Sequence, residues 1–329
     1  MASLKDVAQA AGVATSTVSR VLNGTASISE GTRQRVLEAA EALRYRKRRT
    51  APGSAPLRRV AGVIIPDMAS DYYSRLVHTL NECFRQNGYA TLFSVTDFDE
   101  KAAIRSIEHM AQIRVSCLLI VMDDIEAVSQ KLIDSVRLTL LPVMFVRSRH
   151  IDLLEADCLF VDEEHGNTLA VEHLLRRGYK RIGFIGERNT MNRYQQFQKT
   201  MRRHGAPINR RFARIGDERG ELGGYLRMKE LLESTTLPDA IYASYDQMAI
   251  GAIHALNEAG LRVPGDVAVI GFDNIPISRY IAGGLTTIGT PFEDMASIAV
   301  RVLLHRVASP YGETQQIALK PRLVVRATT

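Results

Sequence analysis

Cysteine is scarce in this chain. Cys83, Cys117 and Cys158 are odd in number, and Cys117 and Cys158 sit in the apolar runs SCLLI and DCLFV. They read as reduced core thiols, not as a disulfide frame or a zinc site. No apolar run approaches the roughly 18 residues of a membrane span, and no basic start leads into an apolar signal core. Secretion and membrane roles are therefore excluded, and a cytoplasmic location is expected. Catalytic signatures are missing as well: there is no GxxxxGK[ST] phosphate loop, no GxSxG elbow, no HExxH and no GxGxxG after the first strand. Asp162-Glu163-Glu164-His165 is the nearest approach to a metal cluster. Adjacent residues on one turn cannot all converge on an ion, so this stretch reads as a helix N-terminus rich in acids. No catalytic residue, metal or cofactor is expected, and the chain is read as a non-enzyme.

What is present is a lopsided distribution of charge. The 329 residues suggest two or three folded units. Residues 1–59 hold 11 Lys and Arg against 4 acids, while the remainder carries 31 against 32. All of the net positive charge of +6 thus belongs to the first fifth of the chain. A small basic module on a neutral body points to a polyanion, with nucleic acid ahead of a membrane surface.

That module is patterned as a folded unit. Ser3-Leu4-Lys5-Asp6 resembles a capping box, and Leu4, Val7, Ala8 and Ala11 follow on one helical face. Gly12 supplies a sharp turn. A second helix over Thr15 to Leu22 buries Val18, Val21 and Leu22 and shows Thr15, Ser16, Thr17, Ser19 and Arg20 outward, with Asn23-Gly24 at its end. Ser29 opens a third helix that closes near Tyr45. Two short helices about a glycine turn form a helix-turn-helix, whose second helix enters the major groove. Short hydroxyls approach base edges there, and an arginine can make a forked contact to guanine.

The stretch LKDVAQAAGVATSTVSRVLNG closely resembles the DNA-reading head of the lactose/galactose repressor (LacI/GalR) family. The resemblance implies that Thr15, Ser16 and Arg20 read bases. It implies that Leu4, Thr17, Ser19, Asn23, Ser27, Thr32 and Tyr45 grip phosphates or pack beside them, with Lys5 as a further phosphate contact. Ala14 departs from the pattern, since many relatives carry Ser at the cap of the recognition helix.

After a basic, Pro- and Gly-broken linker over 46–59, apolar runs alternate with amphipathic stretches. VAGVII, ATLFSV, CLLIV, VMFV, CLFV, RIGFI, AIYA and VAVIGF read as buried strands. Helices are predicted near 74–87, 101–112, 126–137, 166–177, 194–204, 222–233 and 247–259. This alternation predicts an α/β body of parallel sheets covered on both faces, and roughly ten strands suit two sheets better than one.

The body resembles the same family's effector domain, which is similar to periplasmic sugar-binding proteins. The residues carrying this are PDMASDYYSRLV, RIGFIG, YDQMAIGAIHALNEAGLRVPGDVAVIGFDN and LTTIGTPFEDMA. The implied organisation is a head over 1–45, a hinge over 46–59, an N-terminal lobe over 60–161 and 292–320, and a C-terminal lobe over 162–291 and 321–329. The resemblance places a small-molecule effector between the lobes, against Tyr72, Tyr73, Arg147, Asp162, Arg193, Tyr245, Asp246, Asp273 and Phe292. Arg193 and Asp273 suit vicinal hydroxyls and the aromatic rings suit apolar faces. Arg193 or Asp273 also reads as a lobe-to-lobe ion-pair residue, and Phe292 as core. Tyr245, where several relatives carry Asn, and Glu218, where the lactose repressor has an aromatic platform, argue against a simple galactoside. Arg147, Arg149 and Arg279 hint at an acidic or phosphorylated ligand.

The expected function is that of a sequence-specific DNA-binding transcriptional regulator, read as a repressor. It would act as a homodimer on a pseudo-palindromic double-stranded operator, with affinity set by a sugar or sugar derivative. No C-terminal heptad is present, which favours a dimer over a tetramer. The rival is a sugar-binding protein or sugar-processing enzyme without DNA function, which the missing signal peptide and catalytic motifs disfavour. Family hinges commonly fold into a short helix with a wedging leucine. Here Pro52 and Gly53 oppose helix, so Arg46, Lys47, Arg48 and Arg49 are expected to follow phosphates or a narrow minor groove as an extended arm.

Overall fold

A computed structural model describes residues 4–23, 29–43, 59–122, 129–147 and 156–329. Ser27, Tyr45, Arg46 to Arg49, Pro52, Gly53 and Arg149, with the expectations that rest on them, lie outside the described residues.

The head consists of α1 (Leu4–Ala11), α2 (Thr15–Asn23) and α3 (Glu30–Ala42). Its core is small and aliphatic. Val7, Val18 and Val36 are fully buried, with Ala8, Ala11, Val21, Ala39 and Ala40 around them. Gly12 turns the chain at φ 64°, a left-handed conformation that costs glycine little. The Val13 amide then reaches back to the Ala8 carbonyl at 3.0 Å, closing α1. At the other end of the turn, the Ala14 carbonyl accepts from Thr17 and Val18. Ala14 therefore holds the cap position of α2, and its methyl group offers no oxygen to the free amides there. Ser29 caps α3, with its hydroxyl directed to Thr32 Oγ1 at 2.9 Å.

The body begins with β1 (Val60–Ile65), α4 (Asp71–Gln86), β2 (Ala90–Val95), α5 (Glu100–Gln112), β3 (Cys117–Val121), α6 (Gln130–Thr139), β4 (Val143–Arg147) and β5 (Asp157–Val161). It continues with α7 (Glu163–Arg176), β6 (Ile182–Glu187), α8 (Met191–Arg203), β7 (Ala213–Gly216), α9 (Gly220–Leu232), β8 (Ala240–Ala243), α10 (Asp246–Glu258), β9 (Ala268–Asp273) and β10 (Thr286–Gly289). It closes with α11 (Phe292–Ala308), β11 (Gln316–Leu319) and β12 (Arg322–Val324).

Two six-stranded sheets result, in the orders β11-β5-β4-β3-β1-β2 and β12-β10-β9-β8-β6-β7. All pairings are parallel except β12 on β10. Helices cover both faces of each sheet, so β3, β4, β8 and β9 are buried along their whole length. In the first lobe, α4 and α11 pack on one face through Leu76, Leu80, Met295 and Leu303, and α5 and α6 pack on the other through Ile107, Met110 and Leu132. In the second, α9 and α10 cover one face, and α7 and α8 the other. The chain passes between the lobes three times: from β5 into α7, from β10 into α11, and from β11 into β12. Three adjacent connections make a hinge on which the lobes can move as rigid bodies.

Sheet order puts the C-terminal ends of β1, β5, β6, β8 and β9 beside one another across the lobe boundary. In open α/β sheets, ligands bind beyond these ends.

Candidate functional site

A cavity of about 570 Å³ opens between the lobes at those strand ends. From the first lobe it is lined by Asp67, Ala69, Ser70, Tyr72 and Tyr73, which lead from β1 into α4. Ser70 caps that helix through the Tyr73 amide, which fixes where the two tyrosines begin. The second lobe contributes the end of β6 and the start of α8 (Glu187 to Arg193), the start of α9 (Arg219 to Glu221), Tyr245 and Gln247 of α10, and Phe272 and Asp273 of β9.

Two guanidinium–carboxylate clusters organise the cavity wall. Arg193 donates from Nε and Nη2 to Glu163 Oε1 at 2.9 and 2.6 Å, and from Nη1 to the Ser244 carbonyl at 2.6 Å. Asp273 Oδ1 stands 3.9 Å from Arg193 Nη2, and the guanidinium lies over the Phe272 ring at 4.1 Å. Burial works against the Arg193 charge, but Glu163 and Asp273 outweigh it and hold its pKa above the ordinary value. Asp273 is pushed up to about 6 by burial, with Arg193 and the Thr290 hydroxyl opposing. Asp273 also adopts φ 104° and Asn274 φ 55°, conformations that non-glycine residues rarely hold and that recur at functional sites.

The second cluster joins Arg219 to Glu187, with Nε–Oε distances of 3.1 and 3.0 Å. Burial raises the Glu187 pKa, and the Arg219 charge restrains it. Tyr245 completes this wall by accepting the Gly220 amide at 2.9 Å. Its phenol is raised well above the ordinary range, chiefly by burial.

Of the nine expected effector residues, Tyr72, Tyr73, Arg193, Tyr245 and Asp273 line the cavity. The other four stand outside the lining. Phe292 is buried, edge-on to Tyr72 at 5.2 Å between ring centres. Asp246 is fully buried, with Oδ2 accepting from the Ile275 amide and the Ser278 hydroxyl and Oδ1 from Thr287 Oγ1, at 2.9, 2.6 and 2.5 Å. Asp162 caps α7 by accepting the His165 amide. Arg147 is buried at the end of β4, beside Cys158.

Among the described residues three arginines line the cavity, and each already faces a carboxylate: Arg188 Asp217, Arg193 Glu163, and Arg219 Glu187. Five acids line it: Asp67, Glu163, Glu187, Glu221 and Asp273. Arg147 and Arg279 do not, so neither lends support to the expectation of an acidic ligand.

Sequence reasoning missed Glu163, Glu187 and Arg219 as site residues. Glu163 was visible only as one acid of a helix N-terminus, and Arg219 stands beside the singled-out Glu218. Glu187 follows the RIGFIG strand directly, and its position at a strand end was the available signal. Among the described residues, no group of three or more His, Cys, Asp or Glu is placed to hold a metal ion.

On the head, Lys5, Thr15, Ser16 and Arg20 are exposed, while Leu4, Thr17, Ser19 and Thr32 are half-buried. Ser16 and Arg20 are four residues apart on α2 and share a face opposite the buried Val18 and Val21. Asn23 ends the helix.

Comparison with known proteins adds independent findings. Residues 3–47 match the family described as bacterial regulatory proteins, lacI family, and residues 171–329 match the periplasmic binding protein-like domain. The chain is 32% identical to the HTH-type transcriptional repressor PurR of Mannheimia succiniciproducens, over 99% of this chain and 98% of that one. It is 31% identical to the ribose operon repressor of Escherichia coli over the whole of both chains. Among solved structures, a Lac repressor dimer bound to operator and the anti-inducer ONPF matches with a TM-score of 0.72 and 28% identity, covering 99% and 98% of the two chains.

Proposed function

The chain belongs to the lacI family of bacterial regulatory proteins, DNA-binding repressors and not enzymes, and from that we propose that it represses transcription from a pseudo-palindromic operator under control of a small molecule held in the lobe cleft. The observation that carries this reading is the cleft itself. A cavity of about 570 Å³ lies at the strand ends of two hinged lobes, in a chain whose head exposes Thr15, Ser16 and Arg20 on one helix.

Tyr72, Tyr73, Arg193, Tyr245 and Asp273 are the ligand-touching set in this reading. Phe292 packs behind that set against Tyr72, and Asp246 lies behind Asp273. With every lining arginine already facing an acid, a neutral polyhydroxyl compound such as a sugar suits the wall better than a phosphate ester or a sugar acid. On DNA, Thr15, Ser16 and Arg20 read bases, and Leu4, Lys5, Thr17, Ser19, Asn23 and Thr32 set the head against the backbone. Ser27, Tyr45 and Arg46 to Arg49 belong to the same proposed surface. Because no helix among the described residues is long and apolar enough to cross a membrane and the proposed partner is operator DNA, we place the protein in the cytoplasm.

Two half-sites require two heads on a two-fold axis. The face offered for pairing lies on α9, α10 and the turns after β9. Leu222 and Tyr280 are 61% and 78% exposed there, beside Ile277, Tyr225, Ile250 and Ile281. An apolar patch of this kind marks an interaction surface, and here a second copy is the occupant we propose.

The test is a gel shift of the purified protein on fragmented genomic DNA, paired with a thermal-shift screen of sugars, sugar phosphates and sugar acids. Selective retention of one fragment, altered by a compound that also raises the melting temperature, is expected. Asp273→Ala and Arg193→Ala should abolish the response to that compound and leave operator binding in its absence intact. Retention of no fragment above bulk DNA would leave the chain as a ligand-binding protein alone.

A further inference from the structure

We infer that Arg219 is a latch that holds the two lobes together, by setting a second-lobe cation on the Phe98 ring of the first lobe. The inference deepens the proposed function by naming how closure of that same cleft is regulated, and so rests on it.

Arg219 is the cap residue of α9 in the second lobe, and Glu187 at the end of β6 anchors it there through Nε. Its guanidinium crosses the cleft and lies 4.1 Å from the centre of the Phe98 ring. The same group stands 4.0 Å from Asp67 Oδ2, also in the first lobe. A guanidinium stacked at this distance, with a carboxylate beside it, is a stabilising contact between bodies that are otherwise free to hinge.

The first-lobe half of the contact is specially held. Asp97 and Phe98 adopt φ 51° and 60° in succession, although neither is glycine. Such conformations persist only where the surroundings enforce them. Tyr73 packs edge-on to Phe98 at 6.0 Å, so a cavity-lining ring supports the ring that receives the arginine.

The other half is wired to the cleft and to the proposed dimer face. Arg219, Glu187 and Tyr245 all line the cavity, and Tyr245 accepts the amide of Gly220, the residue after Arg219. Glu221, one residue further, lines both this cavity and the apolar patch that carries Leu222 and Tyr280. A ligand that engages Glu187 or Tyr245 therefore acts on the anchor of the latch, and movement of Arg219 acts on the start of the helix that faces the partner copy. Cation, anchor and receiving ring thus form one two-position element between effector and symmetry axis.

Another inter-lobe contact, made by Arg75, has a different character. Arg75 donates to the Asn274 carbonyl at 3.1 Å while paired with Glu293 at 2.8 Å. Those residues flank the crossing from β10 into α11, so this contact sits at the hinge, where opening moves it least.

The experiment measures lobe separation without DNA or ligand, so its outcome is independent of whether the chain is a repressor. Spin labels are attached through Glu108→Cys in α5 and Arg203→Cys in α8, both exposed positions, in a Cys83→Ser background. Pulsed dipolar spectroscopy then gives the distance distribution. The parent should show a dominant closed population. Arg219→Ala and Phe98→Leu should each lower the closed-to-open ratio by roughly three- to thirtyfold, and the double variant should lose no more than either single one. Arg219→Lys should recover part of the loss, and Arg262→Ala, which removes an ion pair within the second lobe, should change nothing. Circular dichroism melts report whether each variant is folded, and Phe98→Leu keeps the apolar volume should Arg219→Ala fail to fold. Unchanged distributions in Arg219→Ala and Phe98→Leu, or losses that simply add, would overturn the latch.

Discussion

Single side chains divide the proposed work cleanly on the head. Arg20 and Lys5 are both exposed cations, but Arg20 shares a helix face with Ser16 where bases are read, whereas Lys5 stands near the start of the first helix. Removing a base contact costs affinity for the right sequence, while removing a phosphate contact costs affinity for any sequence. Arg20→Ala should thus weaken operator binding by about 1–3 kcal/mol and bulk DNA much less, and Lys5→Ala should weaken both alike. Competition binding with operator and random duplex separates the two; equal losses for Arg20→Ala would remove it from the reading set. In the body, Asp246 and Asp273 are pushed up to about 7 and about 6 from an ordinary 3.8, chiefly by burial. Each holds its proton more tightly folded than unfolded. Their stabilising contribution is therefore complete below the ordinary value and is lost as pH rises through about 6 to about 7. The melting temperature should fall between about pH 4 and about pH 7, and Asp246→Asn should flatten the upper part of that fall. A melting temperature that rises across the window in the parent would contradict this assignment.

Helices and strands differ in how legibly they were written. α2 was legible because Val18 and Val21 recur at helical spacing between Gly12 and Asn23. Its weak point is equally visible: Ala14 occupies the cap and cannot accept a hydrogen bond there. Ala14→Ser should stabilise the head by about 0.5–2 kcal/mol, read as a higher melting temperature of the full chain's first transition or slower amide exchange over 15–20. No gain in either measurement would mean that another group already serves those amides. The eight apolar runs all became strands, seven of them because a strand buried on both faces must be apolar throughout, and ATLFSV as the partly exposed edge strand β2. The edge strands β7, β11 and β12 escaped notice for the opposite reason: ARIG, QIAL and RLV mix charged or polar residues with apolar ones and are only half-buried. β10, read as the TTIG of a family motif, was not taken as a strand because its two threonines are polar. The Thr287 hydroxyl donates to Asp246 and the Thr286 hydroxyl accepts from Thr329 Oγ1, while the Thr286 amide donates to Thr328 Oγ1. The cavity was legible where a family motif marked it and illegible where long-range pairing did. Nothing local in GERN or DERG announces that Glu187 and Arg219, 32 positions apart, meet in space.

At the scale of the whole molecule, the three connections between lobes, the cleft and the exposed apolar face have to be considered together. A repressor with one head per chain gains operator specificity only when two heads are held at a fixed spacing, so the pairing surface is part of the DNA-binding apparatus. α9 and α10 are well suited to present such a surface because they pack unusually close. Added methyl groups at Gly224 and Gly251 would collide with the backbones of Met248 and Glu221, so the two helices approach as nearly as their main chains allow. A rigid pair fixes Leu222, Tyr225 and Ile250 in one patch with Tyr280, and an apolar face of this kind is costly to leave in water. Leu222→Glu combined with Tyr280→Glu places two charges on each copy of a two-fold contact, four across the interface, without touching the core of either lobe. Sedimentation should then show a monomer with an unchanged melting profile at low concentration. Operator affinity should fall by a factor of about 100 or more, since the second head no longer binds intramolecularly, while the thermal response to the effector persists. A variant that remains dimeric and grips operator as the parent does would place the two-fold axis on another face of the molecule.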